Sequence, residues 1–230
     1  MLISKLDLVA GARAARGLAI VIDVFRAFTL APHAYARGVS RIVPVDDLAR
    51  AREIKALNPD WLLVGERHSR RLPGFDFGNS PTEIEVGDIA GRTLIQTTHA
   101  GTQGLCAAIG ADEVITGSLV NAAAIVRYVQ RRNPDEVSLV CMGHQAREPS
   151  PEDDLCAELL AARLEGRPYD TSDVRERLRS APGAAKFFDP DAHWAPERDF
   201  DLCTEVDRFD FVLKLMDGST KLPWLARLAA

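Results

Sequence analysis

Leu18-Ala19-Ile20-Val21-Ile22-Asp23-Val24-Phe25-Arg26-Ala27-Phe28-Thr29 opens as an apolar run and then turns to charge. The apolar half, rich in branched side chains, reads as a strand buried on both faces. An acid follows, and an arginine three residues after it. Burying an unpaired charge is costly, so packing alone does not account for the pair. In α/β folds, ligands gather beyond the carboxyl ends of parallel strands. Asp23 and Arg26 are therefore candidates for the floor of an active site. Pairing with each other, or capping of the next helix, is the structural alternative.

The rest of the chain alternates strand and helix. Leu18–Asp23 leads to a helix over Phe25–Gly38, Arg41–Pro44 to one over Asp46–Leu57, and Arg92–Thr97 to one over Leu105–Ile109. Glu113–Thr116 leads to Ala122–Arg132, and Glu136–Met142 to Glu152–Leu164. Pro32 moves the start of the first helix to Thr29–Ala31, because proline fits a first turn. Met1–Val9 and Trp61–Gly65 read as short strands, and Ala10–Arg16 as a turn or loop. Such alternation implies a parallel or mixed sheet covered on both faces, a three-layer α/β/α fold. Arg67–Gly87 is a long irregular segment, the kind that in a compact domain usually serves function. After Gly166 the pattern loosens into short helices at Asp173–Arg179, Ala181–Phe188 and Glu197–Asp207. A last strand at Phe209–Met216 is partnered by the tail near Asp217-Gly218. A subdomain boundary is allowed near residue 166, but the C-terminal part is too small to stand alone, so residues 1–230 are expected to form one domain.

With 230 residues, 47% of them hydrophobic and 27% charged, the chain has an ordinary globular composition. A net charge of -5 gives no global basis for binding nucleic acid or an anionic membrane. No stretch approaches the roughly 20 apolar residues of a membrane span. Met1–Gly17 lacks the apolar core of a signal peptide. Cys106, Cys141, Cys156 and Cys203 form no CxxC pair, which argues against a zinc ribbon and points to a reducing, cytoplasmic setting. The sequence is compatible with a homodimer.

The strand ends deliver two chemical classes. Thr98–Gly104, with Thr98, Gly101 and Thr102, and Gly117–Asn121, with Ser118 and Asn121, offer hydroxyls and free amides at helix starts. Such termini bind anions, although each of these residues is also a good cap. Asn79-Ser80-Pro81 has the same ambiguity. Asp23, Glu66, Glu152 and Asp153 supply hard oxygen ligands of the kind Mg²⁺ takes alongside water and phosphate. Acids and anion donors at one sheet edge suggest phosphoryl chemistry with a divalent metal. Asp23 would either attack phosphorus or position a metal-bound water. His99 and His144 lie in the same loops and are candidate acids or bases. A rival motif is Cys141 with Arg147, the spacing of a cysteine phosphatase. Glu148, Pro149 and Pro151 and the acids after them disfavour it, and Cys141 fits a buried strand residue better. A non-catalytic anion binder is the alternative from outside the enzymes.

The chain resembles the 2-phosphosulfolactate phosphatase (ComB-like) family. The resemblance rests on Val21-Ile22-Asp23-Val24-Phe25-Arg26-Ala27, Gly65-Glu66, Gly74-Phe75-Asp76-Phe77-Gly78-Asn79-Ser80-Pro81 and Thr97-Thr98. It continues through Gly117-Ser118-Leu119-Val120-Asn121-Ala122, Glu152-Asp153 with Cys156-Ala157, Cys203 and Val206-Asp207-Arg208-Phe209-Asp210. It implies an α/β/α fold with its own topology and a Mg²⁺-dependent phosphatase. That activity releases sulfolactate from 2-phosphosulfolactate, a step towards coenzyme M in some organisms. The residues it points to are Asp23, Arg26, Glu66, Asn79, Ser80, Thr98, Thr102, Ser118, Asn121, Glu152 and Asp153. Two stretches depart from the family pattern. Thr98-His99-Ala100-Gly101-Thr102 stands where Thr-Asn-Gly-Thr is usual, and the loop Met142–Pro151 is more elaborate.

Overall fold

The computed structural model describes residues 1–218 and 221–230, apart from the side chains of residues 217, 218 and 221. The apolar run Leu18–Ile22 is strand β2, buried at every position. Its alternation sets the layers. Leu18, Ile20 and Ile22 enter one core cluster with Ile125 and Val129 of α6 (Ala122–Arg132) and Leu155 and Leu159 of α7 (Pro151–Leu164). Ala19 and Val21 face the other way, onto Phe28, Leu30 and Ala31 of α2 (Ala27–Ala36) and Leu105 of α5 (Gly101–Ala107). Helices therefore cover both faces of an α/β sheet. A third cluster packs α3 (Leu48–Leu57), through Ala51 and Ile54, on β3 (Arg41–Pro44), β4 (Leu62–Arg67) and β6 (Thr93–Thr97).

The remaining strands are β1 (Leu2–Asp7), β5 (Arg70–Arg71), β7 (Glu113–Gly117), β8 (Glu136–Cys141), β9 (Phe211–Gly218) and β10 (Lys221–Ala229). Their order in the sheet is β1-β8-β2-β7-β9-β10-β3-β6-β4-β5. β1, β8, β2 and β7 are mutually parallel, as are β3, β6 and β4. The hairpin β9–β10 lies between the two sets and is antiparallel to both β7 and β3. The two parallel sets thus run in opposite senses along the sheet. Twist resolves the opposition: at about 20–25° per step, the five steps from β2 to β6 rotate one set by roughly 100–125° against the other. Their carboxyl ends then turn towards each other, and α2, buried from Ala27 to Tyr35, packs in the core cluster of Ala19 and Val21.

Several local expectations are corrected. Ala10–Arg16 is not a loop, since α1 spans Leu8–Ala14. Alanines favour the helix, and Gly11 permits close packing, because a Cβ there would sit 2.9 Å from Leu6 Cβ. Pro32 stands inside α2 rather than in its first turn. It removes one helical hydrogen bond, and enclosure of the helix on all sides holds the break. Arg67–Gly87 contains β5 and the helix α4 (Pro81–Val86). Phe77 bridges Val64, and Asp76 Oδ2 accepts the Leu63 amide at 2.7 Å, which pins the segment to β4. α5 begins at Gly101, four residues before Leu105. Beyond Gly166 lie α8 (Val174–Arg179), a 3-10 helix (Pro182–Phe187) and α9 (Glu197–Thr204). Val174, Phe187 and Phe200 of these elements share the core cluster of Ile20 and Ile22.

The pairing of Gly65 with Thr97 holds β4 against β6 at the start of the site. A Cβ at residue 65 would lie 2.0 Å from the Thr97 carbonyl oxygen, a backbone atom that cannot move without opening the ladder. Gly65→Ala is expected to destabilise the protein by about 1–3 kcal/mol, read as a lower urea midpoint; an unchanged midpoint would contradict this close approach.

Candidate active site

Four strand ends meet at one small cleft. It is lined by Asp23, Phe25 and Arg26 after β2, Glu66 and Ser69 around the end of β4, and His99 and Ala100 after β6. Gly143, His144 and Gln145 follow β8, Glu152 and Asp153 open α7, Asn79 comes from the β5–α4 connection, and Lys186 from the 3-10 helix.

The four carboxylates are buried, and three of them are held by the main chain. Asp23 Oδ1 accepts the Ala27 amide at 3.2 Å and Oδ2 the Gly101 amide at 2.8 Å. Asp153 Oδ1 accepts from Val24 at 2.9 Å and Oδ2 from Gly143 at 2.8 Å. Glu66 Oε2 accepts from Ser69 at 2.7 Å and Oε1 from His99 at 2.8 Å. Glu152 differs, because its Oε2 is buried with no hydrogen-bond partner. Burial and mutual repulsion favour the protonated forms. Burial, then the Glu66 charge, push Asp23 up to about 6 against the two amide bonds. Asp153 is held well above the usual carboxylate range by burial and by the Asp23 and Glu152 charges. Glu152 is raised chiefly by burial.

Two cations face these acids. Arg26 is 1% exposed; its Nη1 donates to the Trp194 carbonyl at 2.7 Å and to Asp199 Oδ2 at 2.9 Å, and its Nη2 to the Ser69 carbonyl at 2.9 Å. Its Nε has no partner. Lys186 is lowered from its usual value by burial and the Arg26 charge, against the opposite pull of Glu152 and Asp23.

The donor set fits a hard divalent cation: four buried carboxylates, one oxygen of which has no partner at all. It is not a closed cage. Among the described residues, the group of three ligand types whose donor atoms lie within 4.8 Å of one another is Asp7, Cys141 and Asp154, and there Lys5 Nζ already sits 2.7 Å from Asp154 Oδ1. An open arrangement suits Mg²⁺, which keeps waters and takes one or two carboxylates.

Of the residues singled out from sequence, Asp23, Arg26, Glu66, Asn79, His99, His144, Glu152 and Asp153 line the cleft. The hydroxyl-bearing turns lie outside the lining of the cleft, and their side chains make local hydrogen bonds. Thr98 and Thr102 cap each other, Thr102 Oγ1 accepting the Thr98 amide at 2.9 Å and Thr98 Oγ1 the Thr102 amide at 3.2 Å. Gly101 reaches the site through its amide on Asp23. Ser118 Oγ lies 2.8 Å from Thr29 Oγ1, and Asn121 Nδ2 donates to the Phe211 carbonyl at 3.3 Å. Ser80 caps α4 and donates to Asp199 Oδ1 at 2.8 Å.

The cysteine alternative does not survive. Cys141 is 1% exposed in the core, burial pushes its thiol far up, and Arg147 is exposed outside the cleft lining. A thiol that stays protonated cannot attack phosphorus.

The family described as 2-phosphosulpholactate phosphatase matches residues 5–218. The chain belongs to that family. A protein of Bacillus subtilis (strain 168) is 32% identical over 214 residues, covering 91% of each chain, and is named a probable 2-phosphosulfolactate phosphatase. Proteins of Caldanaerobacter subterraneus subsp. tengcongensis and Thermoplasma acidophilum carry the same name, each at 32% identity. They cover 86% of this chain and 88% and 86% of their own.

Two residues, one lining the cleft of this family member and one buried behind it, carry no signal in the sequence. Lys186 lies in a mixed stretch without a strand end before it. Asp199, 0% exposed, holds Arg26, Ser80 and the Thr82 amide, and in sequence it is one acid among several in an amphipathic helix.

The raised Asp23 gives a signed pH dependence. Its protonated form is favoured by folding, so its contribution is full below pH 4 and is lost as pH rises through about 6. A rise from 3.8 to about 6 corresponds to about 3 kcal/mol. Relative to Asp23→Asn, the wild type in chelator should lose up to about 3 kcal/mol of stability between pH 4 and 7; a flat difference in urea titrations across that range would show that Asp23 titrates normally.

Proposed function

We propose that this protein is a Mg²⁺-dependent phosphatase acting on a small phosphorylated organic acid, converting 2-phosphosulfolactate to sulfolactate and phosphate. The observation that carries the reading is the meeting of Asp23, Glu66, Glu152 and Asp153 with Arg26 in one cleft, in a chain of this family. Mg²⁺ would be held by carboxylate oxygens of this set, Glu152 Oε2 foremost because nothing else uses it. Bound there, it would neutralise phosphoryl charge as the ester bond breaks. The four cysteines are free thiols, which supports a reducing, cytoplasmic setting.

Each side chain then has a defined task. Arg26 presents an unpartnered Nε–H to a phosphoryl oxygen from a guanidinium that its other contacts keep from swinging. Asp23, at about 6, is ionised at neutral pH in most molecules and takes the proton of an attacking water. The water oxygen bonds to phosphorus, the ester P–O bond breaks, and the departing alkoxide is protonated from solvent. The Ala27 and Gly101 amides fix the base in place.

Phosphate release from phosphorylated small acids, 2-phosphosulfolactate included, should require Mg²⁺ and stop in EDTA. Asp23→Asn should lower turnover by about 10²–10⁴-fold while remaining folded, and Cys141→Ser should leave turnover unchanged. A folded Asp23→Asn enzyme with normal turnover would sink the scheme. After a single turnover in H₂¹⁸O the label should appear in phosphate; label in the Asp23 carboxylate would assign attack to Asp23 itself.

A further inference from the structure

We propose that Lys186 binds the second acidic group of the substrate, the carboxylate or sulfonate that does not react. This rests on the phosphatase reading of the cleft, since a phosphorylated acid carries such a group into the site along with its phosphoryl group.

The two cations lining the cleft, Arg26 and Lys186, stand in different surroundings. Arg26 is fixed by acceptors from three segments, and the buried Asp199 carboxylate compensates its charge at 2.9 Å. A planar guanidinium held in this way suits one geometry, that of a phosphoryl group. Lys186 makes no hydrogen bond and no ion pair within 4.0 Å among the described residues. Its ammonium is steered by ring faces instead, 5.0 Å from the centre of Phe187 and 5.9 Å from that of Phe25. These two rings meet edge-on at 5.2 Å, so the support is rigid. Ring faces stabilise a cation without using its N–H donors. All three donors therefore stay open to a ligand.

The neighbouring acids do not take up those donors. Asp23, Asp153 and Glu66 each accept two main-chain amides. Glu152 is crowded by the helix that carries Lys186, since a Cβ on Gly183 would lie 2.8 Å from its Oε1. A lysine placed among acids and paired with none meets its partner when substrate arrives. Its flexible stem suits a carboxylate or sulfonate, whose position differs from one small acid to the next.

The test compares the wild type with Lys186→Met and Lys186→Arg. It measures kcat/KM for 2-phosphosulfolactate and for phenyl phosphate, which has no second acid. It also measures calorimetric affinity for phosphate-free sulfolactate, a readout that does not need turnover. Lys186→Met should lose about 10- to 100-fold of the preference for the acid-bearing ester and a similar factor in sulfolactate affinity, as expected for loss of a charged hydrogen bond. Lys186→Arg should recover most of both. An unchanged preference, or an equal fall on both esters with unchanged sulfolactate affinity, would overturn the assignment. A wild type that releases phosphate from neither ester would overturn the phosphatase reading instead, and the calorimetric comparison would still decide the role of Lys186.

Discussion

Main-chain amides donated to buried carboxylates hold this protein's site together. Asp23 joins the turn after β2 to the start of α5, from the other parallel set of the sheet. Asp153 joins α7 to the ends of β2 and β8, and Glu66 joins the turn after β4 to the loop after β6. Each such bond to a charged acceptor is worth about 1.5–3 kcal/mol. The same atoms are the candidate metal ligands. Site and fold therefore cannot be altered separately: the carboxylates repel one another, and the amides that offset this repulsion tie strand ends together, the Gly101 bond to Asp23 doing so across the two parallel sets.

That link between the two sets bears on an otherwise puzzling topology. Two parallel sets running in opposite senses, joined by an antiparallel hairpin, would place their carboxyl ends at opposite edges if the sheet were flat. Twist brings the ends together. The bond from the Gly101 amide to Asp23 fixes the place where they meet, and a glycine at 101 is part of that fit. A Cβ there would come within 2.8 Å of Asp23 Oδ2 and 3.0 Å of Ala27 Cβ, so the small residue reflects a close approach of two strand ends more than a flexible turn.

The acids were legible in the sequence because they break a pattern. Asp23 ends a buried apolar run, Glu66 follows Leu62-Leu63-Val64, and Glu152-Asp153 start a helix. The anion-donor turns were legible only as candidates, since the hydroxyl that caps a helix is the one that would bind phosphate. In the structure Thr98 and Thr102 bond each other, and Ser118 bonds Thr29, the capping side of that ambiguity. The order of strands was not legible. The sequence reads a last strand at Phe209–Met216 partnered by the tail, and nothing local says that the β9–β10 pair enters the middle of the sheet. Lys186 and Asp199 were hidden for the same reason, because their importance lies in contacts with residues more than 150 positions away, such as Arg26.

Those distant contacts bear on the apparent change of character after Gly166. Every candidate metal ligand precedes that point, and an early segment carrying Asp23, Glu66, Glu152 and Asp153 would hold a complete set of acids. It would lack the Trp194 carbonyl and the Asp199 carboxylate that orient Arg26, and the ammonium of Lys186. Nor would the acids be as well tolerated, since Lys186 is among the charges that pull Asp23 and Glu152 back towards ionisation. The aromatic group Phe25, Phe187, Phe188 and Phe200 carries that dependence into the core: Phe25, at the cleft, meets Phe187 edge-on at 5.2 Å and Phe200 tilted at 6.0 Å, across Gly166 in the chain. The early part of the chain supplies the acids, and the late part supplies the cationic geometry that makes a cluster of acids fit to receive an anion.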